Sequence, residues 1–207
     1  MEDVLDLYAT PDSDAEPLVC VDEKLVQLVR EVRQPLPAEP GQVERYDYEY
    51  HREGTANLFM VVRPQAGWRH VSVTARRTTG DFAEFLRAVV DEHFPQARKI
   101  RLVTDNLNTH TLGALYERFT APEARRIARK LEWHYTPKHG SWLNQVEIEF
   151  SVVEQQCLGR RLGSREQLAA EVAAWEARRN QERAKIDWRF NIETARDKFQ
   201  RHYPSQS

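Results

Sequence analysis

Asp22 and Asp105 each close a short apolar run, Leu18-Val-Cys-Val21 and Lys99-Ile-Arg-Leu-Val103 with Thr104, that reads as a buried strand. In an open α/β sheet the carboxyl ends of neighbouring parallel strands converge on one crevice. Two carboxylates meeting there repel each other unless a cation neutralises them, and oxygen donors of this kind suit Mg²⁺ or Mn²⁺. Taken singly, a strand-end aspartate is more often a cap for the following turn. A third carboxylate comes from the helical segment after Pro137. Leu143, Val146, Phe150, Val153 and Cys157 form its apolar face. Glu147 and Glu149 fall about 80° to either side of that face, so periodicity does not choose between them. Glu154, two turns beyond Glu147, is a weaker third option.

The elements that must position these groups follow from pattern. Residues 1–10 read as the end of a helix, stopped by Thr10-Pro11. The stretch 34–41 carries three prolines and demands an extended linker or surface loop. Tyr46 to Arg63, broken near Glu53-Gly54, and Trp68 to Arg76 read as antiparallel strands. Asp81 to His93 is an amphipathic helix, helices cover roughly 111–119 and 121–131, and Leu131 to Tyr135 is a short strand. Helices follow over about 142–158 and 164–180, with Ser164 and Gln167 placed as a capping box. The expected fold is α/β, a mixed sheet flanked by helices with a helical C-terminal extension.

Composition excludes some classes. The chain is 41% hydrophobic and 30% charged, as in a folded globular protein. No apolar run approaches the length of a membrane span, and the acidic start has no apolar core of a secretory signal, so a cytoplasmic, bacterial location is expected. Cys20 and Cys157 lie in apolar segments without CxxC spacing and read as buried, reduced thiols. The formal net charge is −2, but residues 1–117 hold 13 Lys/Arg against 20 Asp/Glu and residues 118–207 hold 17 against 12. Such asymmetry is a hint of a polyanion partner, although on charge alone solvated helix faces are the better reading. No GxGxxG or GxxxxGK motif follows a strand, so nucleotide-binding enzymes fit poorly.

VCVDEK, VTDNLNTH and YTPKHGSWLNQVEIEFS together resemble the three-motif signature of insertion-sequence transposases of the IS630/Tc1/mariner superfamily. The resemblance runs from about Val4 to Tyr203 and implies an RNase H-like fold with an Asp-Asp-Glu triad. Asp22 matches the first carboxylate, with Glu23 beside it pointing to the opposite sheet face. Asp105 matches the second, within an Asp-Asn-x-x-x-His pattern completed by Asn106 and His110. Ser141-Trp-Leu-Asn-Gln-Val-Glu147 matches the block that ends in the third, which selects Glu147 over Glu149. Forty-one residues separate Asp105 from Glu147, more than in the best-known eukaryotic members, so longer connecting helices are expected. The family places a helix-turn-helix DNA reader before the first aspartate. Residues 1–17 are accordingly expected to be the end of such a region, 18–160 the catalytic domain and 161–207 its helical extension.

The resemblance implies two Mg²⁺ (or Mn²⁺) ions held by Asp22, Asp105 and Glu147, hydrolysis of a phosphodiester at transposon ends, and strand transfer into target DNA at a TA dinucleotide by a homodimer. Asn106 and His110 could orient the metal site or contact DNA, or simply cap the helix near Thr111. Lys138, His139 and Trp142 could touch phosphate and a flipped base, or form a turn with a packed tryptophan. Asn144 is grouped with them as a supporting residue. Arg160, Arg161, Arg165, Arg178, Arg179, Arg183 and Arg189 make the C-terminal helices basic, in keeping with phosphate tracking. The rival readings are a stand-alone RNase H-like nuclease and a catalytically silent transposase remnant.

Overall fold

The computed structural model describes residues 1–33, 36–43, 45, 47–107 and 110–200. Gln34 and Pro35 of the proline-rich stretch, Tyr46 at the start of the second expected strand, and the end of the chain that includes Tyr203 lie outside the described residues. The element order is α1 (Glu2–Ala9), β1 (Leu18–Glu31), β2 (Tyr50–Arg63), β3 (Trp68–Thr74), α2 (Thr79–Ala88), β4 (Ile100–Thr104), α3 (Gly113–Arg118), α4 (Ala121–Lys130), β5 (Leu131–Tyr135), α5 (Val146–Val153), α6 (Arg165–Gln181) and α7 (Ile192–Lys198). Both α2 and α5 run on into a π-helical turn, which accounts for the longer helices expected from periodicity. Among the described residues no helix is long and apolar enough to cross a membrane.

The strands form one mixed sheet in the order β3-β2-β1-β4-β5. β1, β2 and β3 are antiparallel neighbours, whereas β4 lies parallel to both β1 and β5. Period-two alternation divides the core. Leu18, Cys20, Met60 and Val103 face α5 and α6, meeting Val146, Phe150, Val153, Val172 and Trp175. Val19, Val21, Phe59 and Leu102 face α2, α3 and α4, meeting Phe82, Phe85, Leu115 and Ile127. Because both faces are covered, the central strands read as unbroken apolar runs rather than alternating ones.

Two expectations are corrected. Asp22 does not terminate its strand: β1 continues to Glu31, paired with β2 from Cys20 opposite Val62 down to Glu31 opposite Tyr50. The polar triplet Asp22-Glu23-Lys24 only interrupts the apolar run, which Leu25, Val26, Leu28 and Val29 resume, and the backbone ladder with β2 runs on through it. The break expected near Glu53-Gly54 is a bulge, where Leu28 pairs with Gly54 and Val29 with Arg52 so that Glu53 is left over. Gly54 has φ of +107°, a conformation that favours glycine. At α6 the Ser164 hydroxyl accepts from the Gln167 amide, but the Gln167 side chain accepts from Gly163 N rather than closing a reciprocal box. Helix α7 falls in the stretch expected to be helical; its local signal is Asn191, whose side chain accepts from Thr194 N as an N-cap.

Candidate functional site

Asp22 and Asp105 are brought together by the parallel ladder of β1 and β4. Cys20 lies opposite Val103, so two residues further on Asp22 comes level with Asp105, just past the end of β4. Alternation points both to the face covered by α5 and α6. Asp22 is 7% exposed. Burial, followed by the charge of Asp105, pushes its carboxyl up to about 7, against a backbone hydrogen bond from Glu23 N to Oδ1 at 2.8 Å. An aspartate in this state is desolvated and short of positive charge.

Glu147 and Glu149 share the first turn of α5, yet their surroundings are opposite. Glu147 is exposed. Desolvation holds its carboxyl above the usual range, Lys24 opposes the shift and Asp105 adds to it, so Glu147 senses the crevice. Glu149 is fully buried. Arg179 Nη2 donates to its Oε1 at 2.6 Å and Arg69 Nη2 to the same oxygen at 3.3 Å. Arg69 Nε lies 3.2 Å from Oε2 without hydrogen-bond alignment. Two guanidinium groups thus already neutralise Glu149. Glu154 instead pairs with Lys24 at 3.2 Å on the surface.

His110 is completely buried beside Asp105. Its Nδ1 donates to Asp105 Oδ1 at 2.5 Å, with Thr104 Oγ1 3.0 Å away, and its Nε2 donates to Glu23. Burial alone would lower the imidazole, but the hydrogen bonds to Asp105 and Glu23 outweigh it and hold it up to about 9. With a carboxylate hydrogen-bonded at each ring nitrogen, both nitrogens of His110 are already engaged within the protein. Asp22, Glu23 and His110 have potential ligand atoms within 4.8 Å of one another. The all-oxygen set expected from the sequence is Asp22, Asp105 and Glu147, of which Asp22 and Glu147 each feel the charge of Asp105. Such a set, short of positive charge, fits Mg²⁺ or Mn²⁺.

The remaining candidates divide. Asn144 is fully buried; its Nδ2 donates to Val21 O at 2.9 Å and its Oδ1 accepts from Val146 N at 3.5 Å. It ties the entry of α5 to the strand residue before Asp22, and its burial leaves it no surface for DNA. Asn106 is exposed. The loop after β5 leaves the sheet beside Asp105, since Thr136 N donates to Thr104 O at 2.9 Å. It then turns tightly, with His139 at φ of +63° and a Cβ on Gly140 placed 2.7 Å from Pro137. Lys138 and His139 are exposed on this turn. Trp142 is 44% exposed and packs its ring against Phe190 and Phe199. Several basic residues expected to track phosphate are engaged internally: Arg160 with Glu171, Arg161 with Glu31, Arg179 with Glu149 and Arg189 with Asp187. Sequence reasoning overlooked Lys24, whose role near Glu147 follows from its sharing a strand face with Asp22. It also set Glu23 aside as pointing away.

The profile of the DDE superfamily endonuclease family matches residues 17–169. No curated protein matches the chain. Among solved structures, the Mos1 mariner paired end complex with Mn is similar at a TM-score of 0.54 and 18% identity, over 88% of this chain and 54% of that one. The Mos1 strand transfer complex is similar at 0.52 and 18%, over 85% and 51%. The Mos1 transposase paired-end complex with left transposon end is similar at 0.50 and 18%, over 88% and 56%. The chain therefore spans about half the length of these proteins and shares their fold. With the endonuclease profile covering most of its length, including the strands and helix that carry Asp22, Asp105 and Glu147, the chain belongs to the DDE superfamily of endonucleases.

Proposed function

We propose that this chain is the catalytic domain of a DNA transposase of the Tc1/mariner type, with Asp22, Asp105 and Glu147 as the ligands of two divalent cations. The observation that carries the reading is the approach of Asp22 and Glu147 to Asp105 beside the central strands β1 and β4, with Asp22 pushed up to about 7 by burial and by Asp105. Bound Mg²⁺ or Mn²⁺ would supply charge neutralisation and an activated oxygen nucleophile for phosphodiester chemistry. The protein's part is positioning. Asp22 is held by the long β1 ladder, Asp105 by His110, and Glu147 by an α5 anchored through Asn144 and Glu149. The exposed Lys138 and His139 stand on the loop that leaves beside Asp105, where a phosphate backbone would pass. The reaction is hydrolysis of a phosphodiester at a transposon end, followed by attack of the freed 3′-hydroxyl on target DNA. A TA target and a homodimeric active complex belong to the same reading and rest on the family resemblance, as does the helical extension over 161–207.

The test is a labelled transposon end with Mg²⁺, wild type beside Asp22→Ala, Asp105→Asn and Glu147→Gln, followed by a pre-cleaved 3′-hydroxyl end offered with a supercoiled target. Cleavage and joining by the wild type alone are expected. Cleavage without joining would make the chain a stand-alone nuclease, and a folded, active Asp105→Asn would remove the site.

A further inference from the structure

Glu23 occupies an unusual position beside the crevice. It follows Asp22 on β1 and points to the other face of the sheet, yet its side chain is only 3% exposed and bonds to His110 Nε2. His110 sits in the segment after β4 and reaches Asp105 Oδ1 with its other nitrogen. The Phe82 ring packs 4.5 Å from the imidazole, and Tyr135 Oη donates to the His110 carbonyl at 3.2 Å. Arg77 Nη1 lies 3.7 Å from the far oxygen of Glu23. Charges of alternating sign, Arg77, Glu23, His110 and Asp105, therefore run from one face of the sheet to the crevice on the other.

We propose that Glu23 is a positioning residue of the metal-binding crevice, acting through His110 to hold the Asp105 carboxylate in one orientation. The inference rests on Asp105 being a metal ligand. Glu23 holds the ring from the side opposite Asp105 and blocks its rotation, so Nδ1–H stays aimed at Asp105 Oδ1. That oxygen also accepts from Leu107 N at 3.4 Å, while Oδ2 has no hydrogen bond among the described residues and is the oxygen left for a cation. Without Glu23 the buried Nε2–H would lose its acceptor. The ring would then be free to turn, and Asp105 would lose its fixed donor. Partners that orient a metal-binding side chain in this way typically account for about 10–100-fold in metal affinity.

The experiment is calorimetric titration of Mn²⁺ into the purified chain, comparing wild type, Glu23→Ala, Glu23→Gln and Asp105→Asn. The His110 ring N–H protons are observed by NMR in the metal-free proteins and assigned by their loss in His110→Gln. Wild type should bind Mn²⁺ and Asp105→Asn should not. Glu23→Ala should bind about 10–100-fold more weakly and lose the Nε2–H signal. Glu23→Gln should recover most of the affinity and the signal, because its amide oxygen still accepts from Nε2. Wild-type affinity in Glu23→Ala, with Asp105→Asn still deficient, would overturn the positioning role and leave the site standing. Equal losses in Glu23→Gln and Glu23→Ala would also overturn it, since a charge or general packing effect would then explain both. Undiminished Mn²⁺ binding in Asp105→Asn would overturn the site itself, and the role of Glu23 with it.

Discussion

The crevice around Asp22, Asp105 and Glu147 and the buried cluster around Glu149 lie within one turn of each other on α5, and they handle negative charge in opposite ways. Glu149 is sealed between β3 and α6, where Arg69 and Arg179 supply positive charge from the protein itself. Asn180 reinforces the junction by exchanging hydrogen bonds with the Arg69 backbone at 2.8 Å in each direction. In the crevice, Asp105 has His110, but Asp22 faces Asp105 with no cationic side chain bonded to it among the described residues, and Glu147 is only eased by Lys24. The first arrangement completes itself and holds the fold. The second is incomplete in a way that a divalent cation would complete. Amount of acidic residue does not separate a structural carboxylate from a ligand; what separates them is whether the protein has already neutralised it.

The sharpest break of this comparison is in activity. Glu147→Gln should abolish Mg²⁺-dependent cleavage while the far-ultraviolet circular dichroism and melting temperature stay near wild type. Glu149→Gln should retain cleavage in whatever fraction remains folded. An inactive but fully stable Glu149→Gln beside an active Glu147→Gln would reverse the assignment.

Stability should show the opposite pattern. Glu149→Gln leaves Arg69 and Arg179 buried without their counter-charge, which costs about 3–5 kcal/mol. For a chain of this size that is a fall in melting temperature of roughly 10 °C. Burial already lowers the Arg69 guanidinium against the pull of Glu149, so removing that charge should be felt at Arg69 first.

The crevice should also respond to pH. The Asp22 carboxyl is raised from 3.8 to about 7 in the fold. Between those values the native state keeps a proton that the unfolded chain has shed, so stability is lost as pH rises through the window. The slope is roughly 1.4 kcal/mol per pH unit. Asp22→Asn has no such window, so in metal-free buffer it should be more stable than wild type at pH 8 and lose that advantage by pH 4. A constant difference between the two melting curves across this range would show that Asp22 is not desolvated as described.

The smallest expected effect is metal linkage. Mn²⁺ at about a hundred times its dissociation constant should stabilise the wild type by about 2.7 kcal/mol. It should leave Asp22→Asn unmoved and stabilise Glu149→Gln as much as wild type. A shift in melting temperature that Asp22→Asn shares would place the cation elsewhere.

Local patterns were legible from the residues alone. Leu131–Tyr135 is a strand with the expected bounds, Leu18 to Val21 are buried together, and the bulge at Glu53 was marked by the glycine after it. That Glu23 points away from Asp22 follows from alternation on any strand. The order of the three carboxylates along strand, strand and helix is likewise a property of the sequence. These features depend on neighbours a few residues apart, and such neighbours carry periodicity, turn chemistry and capping.

What only the tertiary structure decided involves partners distant in the chain. Periodicity left Glu147 and Glu149 equivalent, and what separates them is Arg69, 80 residues before Glu149, together with Arg179, 30 after it. Glu23 reaches His110 across 87 residues, and Asn144 reaches Val21 across 123. β1 runs on through the polar triplet Asp22-Glu23-Lys24 because β2 pairs with it along that stretch. The basic C-terminal helices lose much of their freedom to acidic partners elsewhere in the chain. Residue type and spacing state which charges exist, but the electrostatic state of a carboxylate depends on its solvation and on every charge within a few ångströms. Those neighbours are chosen by the packing of α5 and α6 on the face of the sheet that β1 and β4 share.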